Sequence, residues 1–544
     1  MLAVDTVIEV TPDKAFYRPG ETVTLAVTAA QGARVEATIR YLSEAVETLD
    51  APLEGGQASL SWTPPETTPR GYGVDLRLLD AGGNVLTTTS AAFDVLDHWI
   101  QAPRYGFFSD YTPQRADDDS TVNWLLSHHI NGLQFYDWQY RWEDLLPDGD
   151  AFTDGMGRPL SMATVRHLID LVHARQIAAM PYTAIYGASM GFYQQHRDWA
   201  LVSASGDLFT LGDFIAILDP TPGSPWNTHL LAEFADVLDH TAFDGIHIDQ
   251  YGSPKIAFDA AGNRVDMVEV FPQFIDQTAE LVREKRGDDG VVIFNAVGNY
   301  PVETVAPSQQ NVVYIEVWSP YNDYADLNRL VANAEQWGGG KPVIIAAYIP
   351  PDRAINWQLS NAVIFASGAY HLETGEPHSM LADAYFPKYG TLDSANEPLL
   401  QRYYDFLVRY ENVLSLNTVA AAYERVTALD LGDLRTRGIR AKDRVLPIVR
   451  AGDGFEVYSL VNFIGIDASD WNQPTNVPPT AQKNVSVSID VTRSVKRVWA
   501  ASPDDASTME AAEIAYTVED GVLSLTLPRL NYWSMIVVEY DDER

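Results

Sequence analysis

From residue 1 to about 98, apolar and polar positions alternate along the chain. TVIEVTP, ETVTLAVTA, ARVEATIRYL, GQASLSWTP and GYGVDLRLLD each carry the period of two expected of a strand with one buried face. Turn residues separate them, and FYRPGETVTL opens one strand with a Pro-Gly turn. An immunoglobulin-like β-sandwich over residues 1–98 is the predicted outcome.

The rhythm changes near Arg104. Eight short apolar segments, RYGFFSD, NGLQFYDW, IAAMPYTAIYG, DGIHIDQYG, VVIFNAVGN, VVYIEVWSP, PVIIAAYIP and IFASGAYHLE, alternate with helical patterns. Ser161 is placed as an N-cap ahead of Val165, Leu168, Ile169 and Val172 at helical spacing, and Ser224-Pro225 reads as an N-cap and first-turn pair. Asp117-Asp118-Asp119 before Ser120 suits the positive end of a further helix. Eight strand–helix alternations over residues 99–421 predict a (β/α)₈ (TIM) barrel. A doubly wound sheet is the competitor, but the GxGxxG loop it would more often show is missing. After the helix signal EPLLQRYYDFLVRYENVL the alternation returns in GFEVYSLVNFIG, NVSVSIDVT, VKRVWAAS, IAYTVEDG and VLSLTLPRLNYWSMIVVEY. These predict an antiparallel C-terminal β-sandwich over residues 422–544. The fold class is therefore multidomain: an α/β barrel between two all-β units.

Charge narrows the partners. With 37 basic and 74 acidic residues the net charge is −37, a surface that repels nucleic acid and anionic membranes. No run of about 18 apolar residues is present to span a bilayer. Cysteine is absent, which removes disulfides, thiol nucleophiles and Cys-based zinc sites. The histidines form no HExxH or other close ligand spacing, so neither metal nor cofactor is expected. The opening MLAVDTVIEVTPDK lacks the basic and apolar regions of a signal peptide. A secreted, periplasmic or cell-surface location is the expectation, with the cytoplasm left open.

In a barrel the chemistry gathers at the C-terminal ends of the strands. By period two, His247 and Asp249 of FDGIHIDQYG share one face and Ile246 and Ile248 the other, so Asp249 is expected to point inward at the end of strand four. Tyr314, Glu316 and Trp318 share a face of strand six. Two carboxyl groups on strands separated by one other can flank a glycosidic bond. Apolar and aromatic cover would raise the pKa of Glu316 and suit it to the acid role. Sequence leaves the carboxyl separation open, and with it retention or inversion. Asp137 in QFYDW is a third candidate carboxylate, with Tyr136 and Trp138 beside it. His371, Glu373 and Glu376 in HLETGEPH are candidates near the end of strand eight.

RYGFFSDY, NGLQFYDWQYRWE, FDGIHIDQYG, FNAVGNY and YIEVWSP resemble stretches of glycoside hydrolase family 66, the dextranases and cycloisomaltooligosaccharide glucanotransferases, in the family's order. The resemblance implies Asp249 as nucleophile, Glu316 as general acid/base and Asp137 in the sugar site beside the cleaved bond. It also implies the same layout of sandwich, barrel and sandwich. The chain departs from the family pattern after QFYDW, where Gln139-Tyr140-Arg141-Trp142-Glu143 stands in place of a nearby His. The barrel region has no room for the carbohydrate-binding module that the cyclising members carry as an insert. The resulting expectation is a retaining, endo-acting hydrolase of α-1,6 bonds in dextran or isomaltooligosaccharides. Asn295 is expected to hold sugar hydroxyls, and Tyr136, Trp138, Tyr186, Tyr251, Trp318, Tyr348 and His371 to line the cleft. A transglycosylase on the same site and a non-catalytic α-glucan-binding protein are the alternatives.

Overall fold

Eight parallel strands form the centre of the molecule: β1 (Tyr105–Phe108), β2 (Gly132–Phe135), β3 (Ala178–Ala184), β4 (Gly245–Asp249), β5 (Val291–Val297), β6 (Val312–Glu316), β7 (Val343–Ala346) and β8 (Tyr370–His371). Each is hydrogen-bonded to the next in chain order. Helices α1 (Asp118–Ser127), α2 (Met162–His173), α3 (Pro225–His240), α4 (Met267–Arg286), α5 (Val302–Val305), α6 (Tyr324–Trp337), α7 (Ala354–Ala366) and α8 (Glu397–Arg409) follow them in turn. This is a (β/α)₈ barrel. The computed structural model describes residues 8–541 except 116, 385–387, 422–425, 431–439 and 506–508.

The helix starts follow from local chemistry. The Ser161 hydroxyl accepts from the Thr164 amide, Ser224 accepts from Asn227 with Pro225 in the first turn, and Asp117 accepts from Ser120. Each supplies an acceptor to an amide that has no partner within its helix.

Closure of the barrel does not use a strand ladder. The segment after β8 presses on β1 instead. A Cβ at Gly375 would lie 2.1 Å from the Phe107 carbonyl oxygen, and one at Gly106 would lie 2.6 Å from that of Thr374, so glycine is required at both positions. Glu376 Oε1 then accepts from the amides of Ser109 and Asp110 and from the Arg115 guanidinium.

The eighth strand is shorter than the sequence pattern predicts. Ile364, Phe365 and Ala366 of IFASGAYHLE end helix α7, and only Tyr370–His371 is strand. From Asn356 to Ala366 every residue of α7 is buried, because the C-terminal sandwich covers its outer face. A helix buried all round loses its polar stripe, and its apolar run then reads like a buried strand.

Two sandwiches flank the barrel. The N-terminal one packs a three-stranded sheet (Ile8–Pro12, Val23–Ala29, Gln57–Trp62) on a four-stranded sheet (Glu44–Pro52, Arg34–Tyr41, Arg70–Leu79, Val85–Val95). The C-terminal one pairs a six-stranded sheet, running in sequence from Val419–Ala421 to Trp533–Tyr540, with a four-stranded sheet built on Gln482–Asp490 and Val522–Leu530. Each sandwich has its own apolar core. No helix among the described residues is long and apolar enough to cross a membrane.

Candidate active site

Alternation in β4 sends His247 and Asp249 into the barrel. His247 is wholly buried, stacked on Tyr105 and edge-on to Tyr314, with Nδ1 3.1 Å from the Tyr105 hydroxyl. Burial lowers its pKa to about 3, so the ring is a neutral floor to the site. One pleat further on, Asp249 emerges at the strand end. Its Oδ2 accepts from the Tyr182 hydroxyl at 2.7 Å and its Oδ1 from Asn295 Nδ2 at 2.7 Å.

Asn295 is the inward residue of β5, between the two carboxylate strands. Its Nδ2 also donates to Glu316 Oε2 at 2.7 Å, one hydrogen to each carboxylate. Each oxygen is 2.7 Å from the same nitrogen, so the two are at most twice that, 5.4 Å, apart. Glu316 Oε1 accepts from the Trp318 indole at 2.9 Å.

Both carboxyls are pushed above the usual carboxylate range. Burial is the main cause for each, and the charge of Glu316 adds to it for Asp249. Two buried carboxylates this close share one proton as a pair. Asp249 accepts from Tyr182, Asn295 and the Gln250 backbone amide, a set of donors that favours its charged form. Glu316 has a comparable set, the Asn295 amide and the Trp318 indole with Tyr348 alongside, so the donors do not by themselves divide the proton between the two.

The other predicted residues divide into two groups. Tyr136 stacks on Tyr182 at 5.4 Å, and the charges of Glu316 and Asp249 both oppose ionisation of its hydroxyl. Tyr348 stands beside Glu316, and Trp318 tilts toward it with ring centroids 6.3 Å apart. Half-buried Tyr251 follows Asp249 by two residues and feels its charge. Asp137 is raised to about 6 by burial, partly offset by Arg158. These residues form one cluster with Asp249, Glu316 and Asn295.

Trp138 and His371 do not join it, and Tyr186 lies behind it, its ring 5.4 Å from that of Tyr251. Trp138 is fully buried against Phe243 and donates to the Tyr182 carbonyl. The cause is local: β2 ends at Phe135 and Asp137 takes a left-handed φ of 44°, so the strand alternation that put Trp138 beside the cleft stops there. Tyr186 is buried beneath the β4 loop, where its hydroxyl accepts from the Tyr251 amide. His371 is locked between Asn361 Oδ1 at 2.7 Å and the Ala347 carbonyl at 2.9 Å, with Glu373 alongside at 3.3 Å. Glu376 serves the barrel closure.

Tyr182 is the site residue the sequence reading passed over. The signal was available: Met180, Tyr182 and Ala184 share a face of β3 by period two, and a tyrosine near the end of an inward face is placed to reach a neighbouring strand end.

Comparison with known proteins adds to this geometry. The model of Glycosyl hydrolase family 66 matches residues 12–537. A cycloisomaltooligosaccharide glucanotransferase of Niallia circulans is 24% identical, over 97% of this chain and 71% of its own length. A dextranase of Streptococcus salivarius is 25% identical, over 87% of this chain and 68% of its own. Among solved structures, a Paenibacillus sp. cycloisomaltooligosaccharide glucanotransferase complexed with cycloisomaltoheptaose superposes with a TM-score of 0.88 at 21% identity, covering 97% of this chain and 99% of that one. An α-L-fucosidase of Paenibacillus thiaminolyticus shares the fold more distantly, with a TM-score of 0.55 at 11% identity over 81% of this chain and 100% of its own.

Proposed function

Because the chain belongs to glycosyl hydrolase family 66, we propose that it cleaves internal α-1,6-glucosidic bonds of dextran with retention, through a glycosyl-enzyme on Asp249. The observation that carries this reading is the shared Asn295 nitrogen. An upper limit of 5.4 Å between these two carboxylate oxygens is compatible with the spacing of about 5–5.5 Å that permits direct attack, and lies below the roughly 6.5–9.5 Å that admits a bridging water.

In the first step Asp249 Oδ bonds to the anomeric carbon as the bond to the leaving oxygen breaks, and Glu316 gives that oxygen its proton. In the second, water loses a proton to Glu316, bonds to the same carbon and returns the electron pair to Asp249. Two inversions restore the α configuration. Asp137, Tyr136 and Tyr251 border the sugar that becomes covalently bound.

The first-formed reducing end is therefore expected to be α. Proton NMR of the anomeric region in the first minutes of dextran cleavage reads it before mutarotation, and an initial β product would overturn the mechanism. Asp249→Ala should lower turnover by a factor on the order of 10³ or more with the fold intact.

The strong likeness to a cycloisomaltooligosaccharide glucanotransferase supports a second reading, in which a sugar hydroxyl replaces water in the second step. Separation of the products of dextran digestion distinguishes linear oligosaccharides from cyclic ones. Family membership favours action outside the cytoplasm, on a polysaccharide too large to enter a cell.

A further inference from the structure

Trp318 is the one tryptophan of the described residues that is exposed, at 38%. It stands two residues beyond Glu316, past the end of β6, on the side where the barrel opens. Its polar edge is turned inward, since the indole N–H donates to Glu316 Oε1. An apolar ring kept partly in water while its only polar atom is held by a buried carboxyl group is an arrangement suited to a ligand with an apolar face.

The side on which that ligand lies follows from the chemistry. Resting on the proposed function, Asp249 faces the anomeric carbon of the sugar that becomes covalently bound, and Glu316 faces the oxygen of the leaving unit. A ring bonded to Glu316 therefore borders the leaving unit, and later whatever takes its place.

We propose that Trp318 is the platform for the glucosyl unit on the leaving side, and that occupancy of this platform decides whether water or a sugar receives the glycosyl group. A pyranose presents a face of C–H groups that stacks on the indole while its hydroxyls remain solvated. In the transfer step an acceptor hydroxyl on that sugar loses its proton to Glu316, its oxygen bonds to the anomeric carbon, and the bond to Asp249 breaks with its electron pair returning to the carboxylate. The indole N–H fixes the rotamer of Glu316 that serves both nucleophiles, so Trp318 acts as a positioning and specificity residue.

Five other residues face Glu316: Asp249 from β4, Asn295 from β5, Tyr348 beyond β7, Tyr136 beyond β2 and Tyr314 on its own strand. Of these, Asn295 donates to the other oxygen, Oε2. Loss of the indole N–H therefore raises the pKa of Glu316 without touching the donors to Asp249.

The test uses the full chain with dextran as donor and isomaltose as added acceptor. Trp318→Ala should lower the ratio of transfer to hydrolysis about tenfold, the upper end of what one aromatic contact supplies. Trp318→Phe keeps a ring, so it should retain most of the ratio while the basic limb of the pH profile for kcat/KM moves upward. A packing role alone would alter neither the ratio nor that limb. If both variants cleave dextran and partition like the unaltered chain, the proposal is overturned and the proposed function stands. If the unaltered chain does not act on dextran, both fall.

Discussion

An N–H or O–H that donates to a carboxylate favours its charged form, so each donor around the pair sets one edge of the active pH range. Tyr182 donates only to Asp249, while Asn295 donates to both carboxyls. In the proposed mechanism activity needs Asp249 charged, which sets the acid limb, and Glu316 protonated, which sets the basic limb. Tyr182→Phe should move the acid limb of kcat/KM upward by about one pH unit, taking a hydrogen bond to a charged group as roughly 1.5 kcal/mol, and leave the basic limb in place. Asn295→Ala should move both limbs upward, because each carboxyl loses a donor. Kinetics across the pH range on dextran checks both, and an acid limb unmoved in Tyr182→Phe would remove that tyrosine from the site. The carboxylates themselves were legible from period two at the strand ends. Trp138 was misplaced because alternation holds only while the backbone is extended, and Asp137 breaks it. His371 and Tyr186 lie deeper than the pattern suggests, because a pattern reports which face a residue takes and not how deep it lies.

At the scale of elements, the eight alternations and the helix caps were readable because they are local. The barrel's closure was not. It depends on residues far apart in sequence, with Glu376 reaching Ser109, Asp110 and Arg115. Its sequence signal, an acidic residue in HLETGEPH, looked like a catalytic candidate. Removing this carboxylate takes the ion-pair partner from Arg115, leaving it the Asp110 carbonyl, and the acceptor from two amides. Glu376→Ala should therefore cost about 3–5 kcal/mol of stability, measured by denaturant unfolding with the intact chain as reference. A change within about 1 kcal/mol would show that the seam between β8 and β1 is held by packing alone. The short β8 was over-extended in the sequence reading for a related reason: α7 is covered by the C-terminal sandwich, and a covering partner leaves no mark on the helix except missing polarity.

At the scale of the whole molecule, ordered salt bridges bind the units together. Arg104, at the entry to the barrel, pairs with Asp94 of the N-terminal sandwich at 2.8 Å and with Glu411 beyond α8 at 3.3 Å, and all three side chains are fully buried. Arg409 of α8 pairs with Asp75 of the same sandwich, and Arg450 of the C-terminal sandwich pairs with Glu335 of α6. Composition announces that the chain is acidic but cannot say which carboxyls are buried, so none of these joints was visible in the sequence. Burial raises the pKa of both Asp94 and Glu411 against the pull of one arginine. A carboxyl whose folded pKa is raised contributes stability fully below its unfolded value, near pH 4, and loses that contribution as pH climbs through the folded value. Thermal stability from this cluster should fall with rising pH, and Glu411→Gln should flatten the fall. Calorimetry of both proteins between pH 5 and 9 decides it, and parallel curves would count against the cluster.

The arginine joints also bear on how such a gene can be rearranged. A barrel cut free near Arg104 would retain Arg104 and Glu411 without Asp94, and Arg409 without Asp75, leaving buried charges unpaired or abruptly exposed to water. Recombination that shuffles the barrel alone between genes would thus produce a crippled product. Crossovers that carry the first sandwich along with the barrel would be tolerated far better. The unit of inheritance is larger than the unit of chemistry, and its borders are set by where the arginines find their partners.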